Sequence, residues 1–166
     1  MVPTPFLWLH TQEPKFPEGW SMNIGQMCNP EVVTALASDP LSRAARQMCD
    51  EHVGMVVVVE ERAGKRVPVG IVTDRDIVRV QLQRSTDLFC LGVGQAMSAE
   101  PLTLLESEPM EEAIDRLRRR GVRRAPVVDP GGGLVGVVSL DDLLTAVSQE
   151  LSGLSRLADS QRSREH

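Results

Sequence analysis

The chain has 166 residues, 42% hydrophobic and 25% charged, with a formal net charge of -5. That composition can bury a globular core, and its acidic balance argues against general binding to nucleic acid or to an anionic membrane surface, both of which favour basic chains. Its three cysteines, Cys28, Cys49 and Cys90, form no C-x-x-C pair and do not cluster with the histidines, which argues against a metal site and suits a reducing, cytoplasmic setting without disulfides.

Residues 1–21 read as an N-terminal tail. The run Phe6-Leu7-Trp8-Leu9 is apolar but far shorter than a membrane span, and no basic residues precede it as they would in a signal peptide. Patterned sequence begins at Met22. The pair Asp39-Pro40 opens a helix, with proline expected at the first helical position, and Leu41, Ala44, Ala45 and Met48 form its apolar stripe. A strand is predicted over Met55–Val59, a charged loop over Glu60–Arg66, and a second strand over Val67–Val72. A helix over Arg75–Leu82 follows, and 83–94 read as a linker.

The same order then returns. Glu108-Pro109 opens a helix whose stripe is Met110, Ala113, Ile114 and Leu117, and Gly121 stops it. A strand over Ala125–Val128, a turn at Pro130-Gly131-Gly132-Gly133, a strand over Leu134–Val138 and a helix over Asp141–Leu151 complete the copy. Both strands of each copy are nearly continuous in apolar residues, which predicts burial on both faces. Residues 153–166 read as a polar tail.

At an offset of about 69 residues, Asp39-Pro40 meets Glu108-Pro109, Thr34 meets Thr103, and Val58-Val59 meets Val127-Val128. Removing roughly three residues from the first loop aligns Val69-Gly70-Ile71-Val72-Thr73 with Val135-Gly136-Val137-Val138-Ser139, and Asp76 with Asp142. Each unit is too small to bury its own sheet easily. The prediction is therefore one pseudo-two-fold α/β module: repeat 1 over 22–82, the linker, and repeat 2 over 95–152, with small sheets flanked by helices.

Two phrases carry a family resemblance: Gly70-Ile71-Val72-Thr73-Asp74-Arg75-Asp76-Ile77 and Gly136-Val137-Val138-Ser139-Leu140-Asp141-Asp142-Leu143. With the order β-α-β-β-α occurring twice, and with Gly121-Val122-Arg123-Arg124-Ala125-Pro126-Val127-Val128-Asp129, the chain resembles the cystathionine-β-synthase (CBS) domain pair, or Bateman module, over about residues 24–150. The resemblance implies a stand-alone, non-catalytic regulatory module. It would bind an adenosine-containing ligand (AMP, ADP, ATP or S-adenosylmethionine) in clefts between the repeats and pair into a flat homodimer.

The resemblance also points to residues. Asp76 and Asp142 match an aspartate that accepts hydrogen bonds from ribose hydroxyls, and Thr73 and Ser139 match a hydroxyl near the ribose or phosphate. A carboxylate can take two hydroxyl donors, and charge-assisted bonds are the stronger kind; a helix N-terminus also favours phosphate. The same spacing equally reads as a helix capping box. Arg123 and Arg124 stand where relatives carry phosphate-reaching basic residues, with Arg75 a further candidate. Repeat 1 has Gly54 and Met55 in those places, and Val57 in place of the proline, so phosphate binding is expected to be lopsided, favouring the cleft with the arginines. Arg116, Arg118, Arg119 and Arg120 read as a solvated basic helix end. Thr34 and Thr103 match a position near base or phosphate, or are plain strand-edge residues. Val53, Met55, Val122 and Ala125 are candidates for an adenine slot, or for core.

A structural scaffold for self-association or docking of an unidentified regulated protein would use the same fold without ligand. Nucleic-acid binding rests on the arginine cluster, but aromatic content is 3% and there is no Tyr to stack on bases. An enzyme would need a nucleophile-base pair, a metal cluster or a phosphate loop, and none is present.

Overall fold

The computed structural model describes residues 22–85, 87–149 and 152. The two predicted tails and the end of the last helix lie outside the described residues. In chain order the elements are α1 (Ile24–Met27), β1 (Thr34–Ala35), α2 (Leu41–Asp50), β2 (Met55–Arg62), β3 (Lys65–Thr73) and α3 (Asp74–Arg84). A 3-10 turn at Leu88–Cys90 and α4 (Val93–Ala96) follow, so residues 83–94 carry structure of their own. Then come β4 (Ser98–Ala99), β5 (Leu104–Leu105), α5 (Met110–Arg120), β6 (Arg124–Val128) and β7 (Leu134–Ser139), and a helix, α6, over 140–149. Among the described residues no helix is long and apolar enough to cross a membrane.

The predicted stripes bury the helices. Leu41 and Ala44 of α2 are fully buried and Met48 nearly so; Met110, Ala113 and Leu117 do the same for α5. Gly121 ends α5 at φ 64, a left-handed conformation that glycine adopts without a Cβ penalty. The prolines sit one position earlier than predicted. Pro40 and Pro109 have extended ψ and are N-cap residues, with the helices starting at Leu41 and Met110.

The sheets repeat as well. One runs β1-β2-β3-β4 and the other β5-β6-β7, each with a parallel first pair and antiparallel pairing after it. Ala35 lies opposite Val58 in the first, and Leu104 opposite Val127 in the second. The segment read as a charged loop is not one. Glu60, Glu61 and Arg62 pair with Val67, Arg66 and Lys65, and only Ala63-Gly64 turns the chain, both at positive φ, as a type I′ hairpin requires. Exposed charged strand ends resemble loop in composition.

Burial on both faces holds for β2 and β6, where Val56–Val59 and Ala125–Val128 are buried without a break. It does not hold for β3 and β7, where buried and half-buried residues alternate. β3 and β7 are neighbours across the seam between the repeats.

Each repeat has its own buried cluster, and the clusters exchange short helices. Ile24 of α1 belongs with Leu104, Met110 and Leu143 of repeat 2. Val93 and Ala96 of α4 belong with Leu41, Val56 and Val72 of repeat 1. The docking bonds match: Ile24 and Gly25 donate to the carbonyls of Glu108 and Glu106, and Val93 and Gly94 to those of Asp39 and Ala37. A Cβ at Gly25 would stand 3.0 Å from the Glu106 carbonyl oxygen, and one at Gly94 3.2 Å from that of Ala37, so glycine permits the approach. At the hairpin tip, Lys65 of repeat 1 lies 2.8 Å from Asp129 of repeat 2. That bond, with those from the Gly133 and Gly131 amides, holds the Asp129 carboxyl below the usual carboxylate range.

Candidate ligand cleft between the repeats

A cleft of about 650 Å³ opens along the seam. One wall is the end of β3 and the first turn of α3, bearing Ile71, Thr73, Asp74, Arg75 and Asp76. The facing wall is the junction of α5 and β6, residues 120–124, and the floor is the segment Ser98–Leu102 that enters repeat 2. Gly54 and Met55, at the start of β2, complete the rim beside Asp141.

The Thr73-Asp76 pair is a capping box, as its spacing allows. Asp76 Oδ2 accepts from the Thr73 amide at 3.0 Å and from Thr73 Oγ1 at 2.7 Å, while the Asp76 amide donates back to Thr73 Oγ1. Asp76 is 8% exposed yet still lines the cleft, and its Oδ1 accepts from Arg79 at 2.6 Å. Ser139 and Asp142 repeat the box at 2.8 and 2.6 Å. They are half-buried and are not among the residues of this cleft.

The arginines approach from repeat 2. Arg123 and Arg124 are exposed; Arg123 lies 3.7 Å from Asp141, both in open solvent, where such a pair contributes little. Arg124 leans toward repeat 1: a Cβ at Gly54 would be 3.5 Å from its guanidinium and 3.7 Å from the Asp74 carboxylate. Arg75, Arg120 and Arg124 make no ion pair among the described residues, and all three border the same hollow. Four guanidiniums therefore share the cleft with the carboxylates of Asp74, Asp76, Glu100 and Asp141. The positions matching Arg123 and Arg124 in repeat 1 are Gly54 and Met55, so the cationic wall is one-sided.

Several expectations change. Ala125 is fully buried in the second core and presents no surface to the cleft. Val53 packs against the first core, whereas Met55 and Val122 do line the hollow. Thr34 pairs with Val57 in the sheet, and the Thr103 carbonyl accepts from Arg116; neither borders the cleft, although Leu102 beside Thr103 does. Arg116 is not a solvated helix end: it pairs at 2.6 Å with Glu108, which is buried. Arg118 and Arg119 pair with Asp115 in solvent, and Arg120 turns to the cleft. Sequence reasoning missed Arg120 and the floor Ser98–Leu102. A signal was present: Ile24-Gly25-Gln26 recurs as Val93-Gly94-Gln95, which fixes where each repeat begins and brings the following segment into register.

Comparisons with known proteins bear on the fold and the family. The sequence family described as CBS domain matches residues 24–83 and 93–149. An uncharacterized protein of Methanopyrus kandleri is 30% identical over 124 residues; the match covers 75% of this chain and 62% of that protein's length. The CBS domain-containing protein YhcV of Bacillus subtilis is 32% identical over 124 residues, covering 74% of this chain and 84% of YhcV. A CBS domain protein from Pyrobaculum aerophilum, solved in complex with AMP, superposes with a TM-score of 0.67 at 27% identity, covering 79% of this chain and 98% of that one.

Proposed function

The chain belongs to the CBS domain family, and from that premise we propose that it is a non-catalytic regulatory module that binds an adenosine-containing ligand in the inter-repeat cleft. The observation that carries the reading is the meeting of Thr73, Arg75 and Asp76 of one repeat with Arg120, Arg123 and Arg124 of the other around one hollow. A ribose would sit at Asp76, with phosphate oxygens toward the guanidiniums, which donate in a planar fork. The base would lie on the apolar lining of Met55, Ile71, Leu102 and Val122. A relative solved with AMP supports an adenosine-containing ligand, for which AMP, ADP, ATP and S-adenosylmethionine are the candidates. Ser139 and Asp142 form the corresponding half of a second, cation-poor site.

The working form is a homodimer. Val78 and Leu82 of α3 and Leu144 of α6 are large apolar side chains left exposed at 56%, 77% and 59%, and a second copy would cover them. The same faces favour the scaffold reading if no ligand binds. The three cysteines are free thiols, which suits a cytoplasmic location.

The test is a thermal-shift panel with AMP, ADP, ATP and S-adenosylmethionine on the wild type, Asp76→Ala and Asp142→Ala. A ligand at a hundred times its Kd should add about 2.7 kcal/mol to wild-type stability. Asp76→Ala should fold and lose most of that shift for AMP, and Asp142→Ala should keep it. Equal shifts in all three proteins would reject the ribose role of Asp76, and no shift with any ligand would favour the scaffold.

A further inference from the structure

Asp76 and Asp142 hold the same position in matching capping boxes, but their second oxygens differ. In both, Oδ2 takes two bonds, from the amide and the hydroxyl of the N-cap residue. A carboxylate oxygen offers about two acceptor sites, so Oδ2 is filled in each. In repeat 1, Oδ1 also accepts from Arg79 one helical turn on, at 2.6 Å. In repeat 2 the residue at that place is Thr145, whose hydroxyl donates to the Asp141 carbonyl instead. Among the described residues none donates a hydrogen bond to Asp142 Oδ1.

We propose that Arg79 sets the sugar specificity of the cleft by occupying one of the two acceptor sites that a ribose diol would need on Asp76. This rests on the reading of the cleft as an adenosine site. Neighbouring hydroxyls present two donors, and Asp76 as it stands has room for one. The two partners differ in freedom. The Asp76 side chain is 11% exposed and fixed by its box, whereas Arg79 is 56% exposed. Full ribose recognition therefore proceeds by swinging Arg79 into water, and that displacement lowers affinity for the diol. A sugar with one hydroxyl needs no displacement.

The experiment is titration calorimetry of AMP and 2′-deoxy-AMP against the wild type, Arg79→Met and Arg79→Lys. Met fills the space without a donor, and Lys restores one. Arg79→Met should bind AMP about tenfold more tightly than the wild type, the worth of one hydrogen bond to a charged group. Its affinity for 2′-deoxy-AMP should be unchanged, and Arg79→Lys should behave as the wild type. An Arg79→Met variant that binds AMP no more tightly, or that gains equally for both nucleotides, overturns the role of Arg79 while leaving the adenosine site standing. Absence of AMP binding in all three proteins overturns both.

Discussion

Gly136 and Gly70 occupy matching points of the two hairpins, but a methyl group would meet different things at each. At Gly136 it would stand 2.8 Å from the backbone oxygen of Asn29 and 2.6 Å from Cys28 Sγ. Asn29 is bridged to Val137 by a reciprocal pair of hydrogen bonds, so the backbone cannot give way without loosening that pair. At Gly70 the nearest atom is Sδ of Met97, on a flexible side chain that can turn aside. Gly136→Ala should therefore destabilise by about 1–3 kcal/mol, the usual range for overpacking, and Gly70→Ala by less; urea unfolding of both variants measures the difference, and equal losses would contradict it. The role of Asp76 was partly legible at this scale because its spacing from Thr73 admits few local geometries. Arg79 was not: nothing in its sequence position separates an arginine reaching back along its own helix from one reaching into solvent. Arg116 shows the converse, since its partner Glu108 precedes the helix and the pairing depends on the Pro109 turn between them.

Among the elements, the long helices and the central strands were readable because each spans enough residues to show its period. Ten residues of α2 and eleven of α5 display the apolar stripe two or three times over. The four-residue helices α1 and α4 show it once, and their burial partners lie in the other repeat, where no local pattern can point. Ile24 is nonetheless fully buried. Its truncation removes an apolar side chain and leaves a cavity in the core of repeat 2, so Ile24→Ala should cost about 2–5 kcal/mol. Val78→Ala on the exposed face of α3 should cost the monomer about 0.5 kcal/mol or less. Chemical denaturation at low protein concentration tests the pair; a mild effect at Ile24 would mean that α1 is an appendage instead of part of that core.

For the molecule as a whole, duplication explains both the pseudo-symmetry and its failure. The exchanged helices, the hairpins and the capping boxes recur at matched positions, and the Lys65–Asp129 clasp ties one hairpin tip to the other repeat. What does not recur is charge: the arginines at 123 and 124 face glycine and methionine in the other copy, and Arg79 has threonine as its counterpart. An acidic chain thereby acquires one cleft in which guanidiniums from repeat 2 face carboxylates from repeat 1, an arrangement too local for net charge to reveal. Backbone amide shifts followed by NMR during an AMP titration test this account most directly. The changes should concentrate in Thr73–Asp76, Ser98–Leu102 and 120–124, which surround the hollow from both repeats. Saturating AMP that leaves those three segments unmoved, or that perturbs only distant residues, would contradict it.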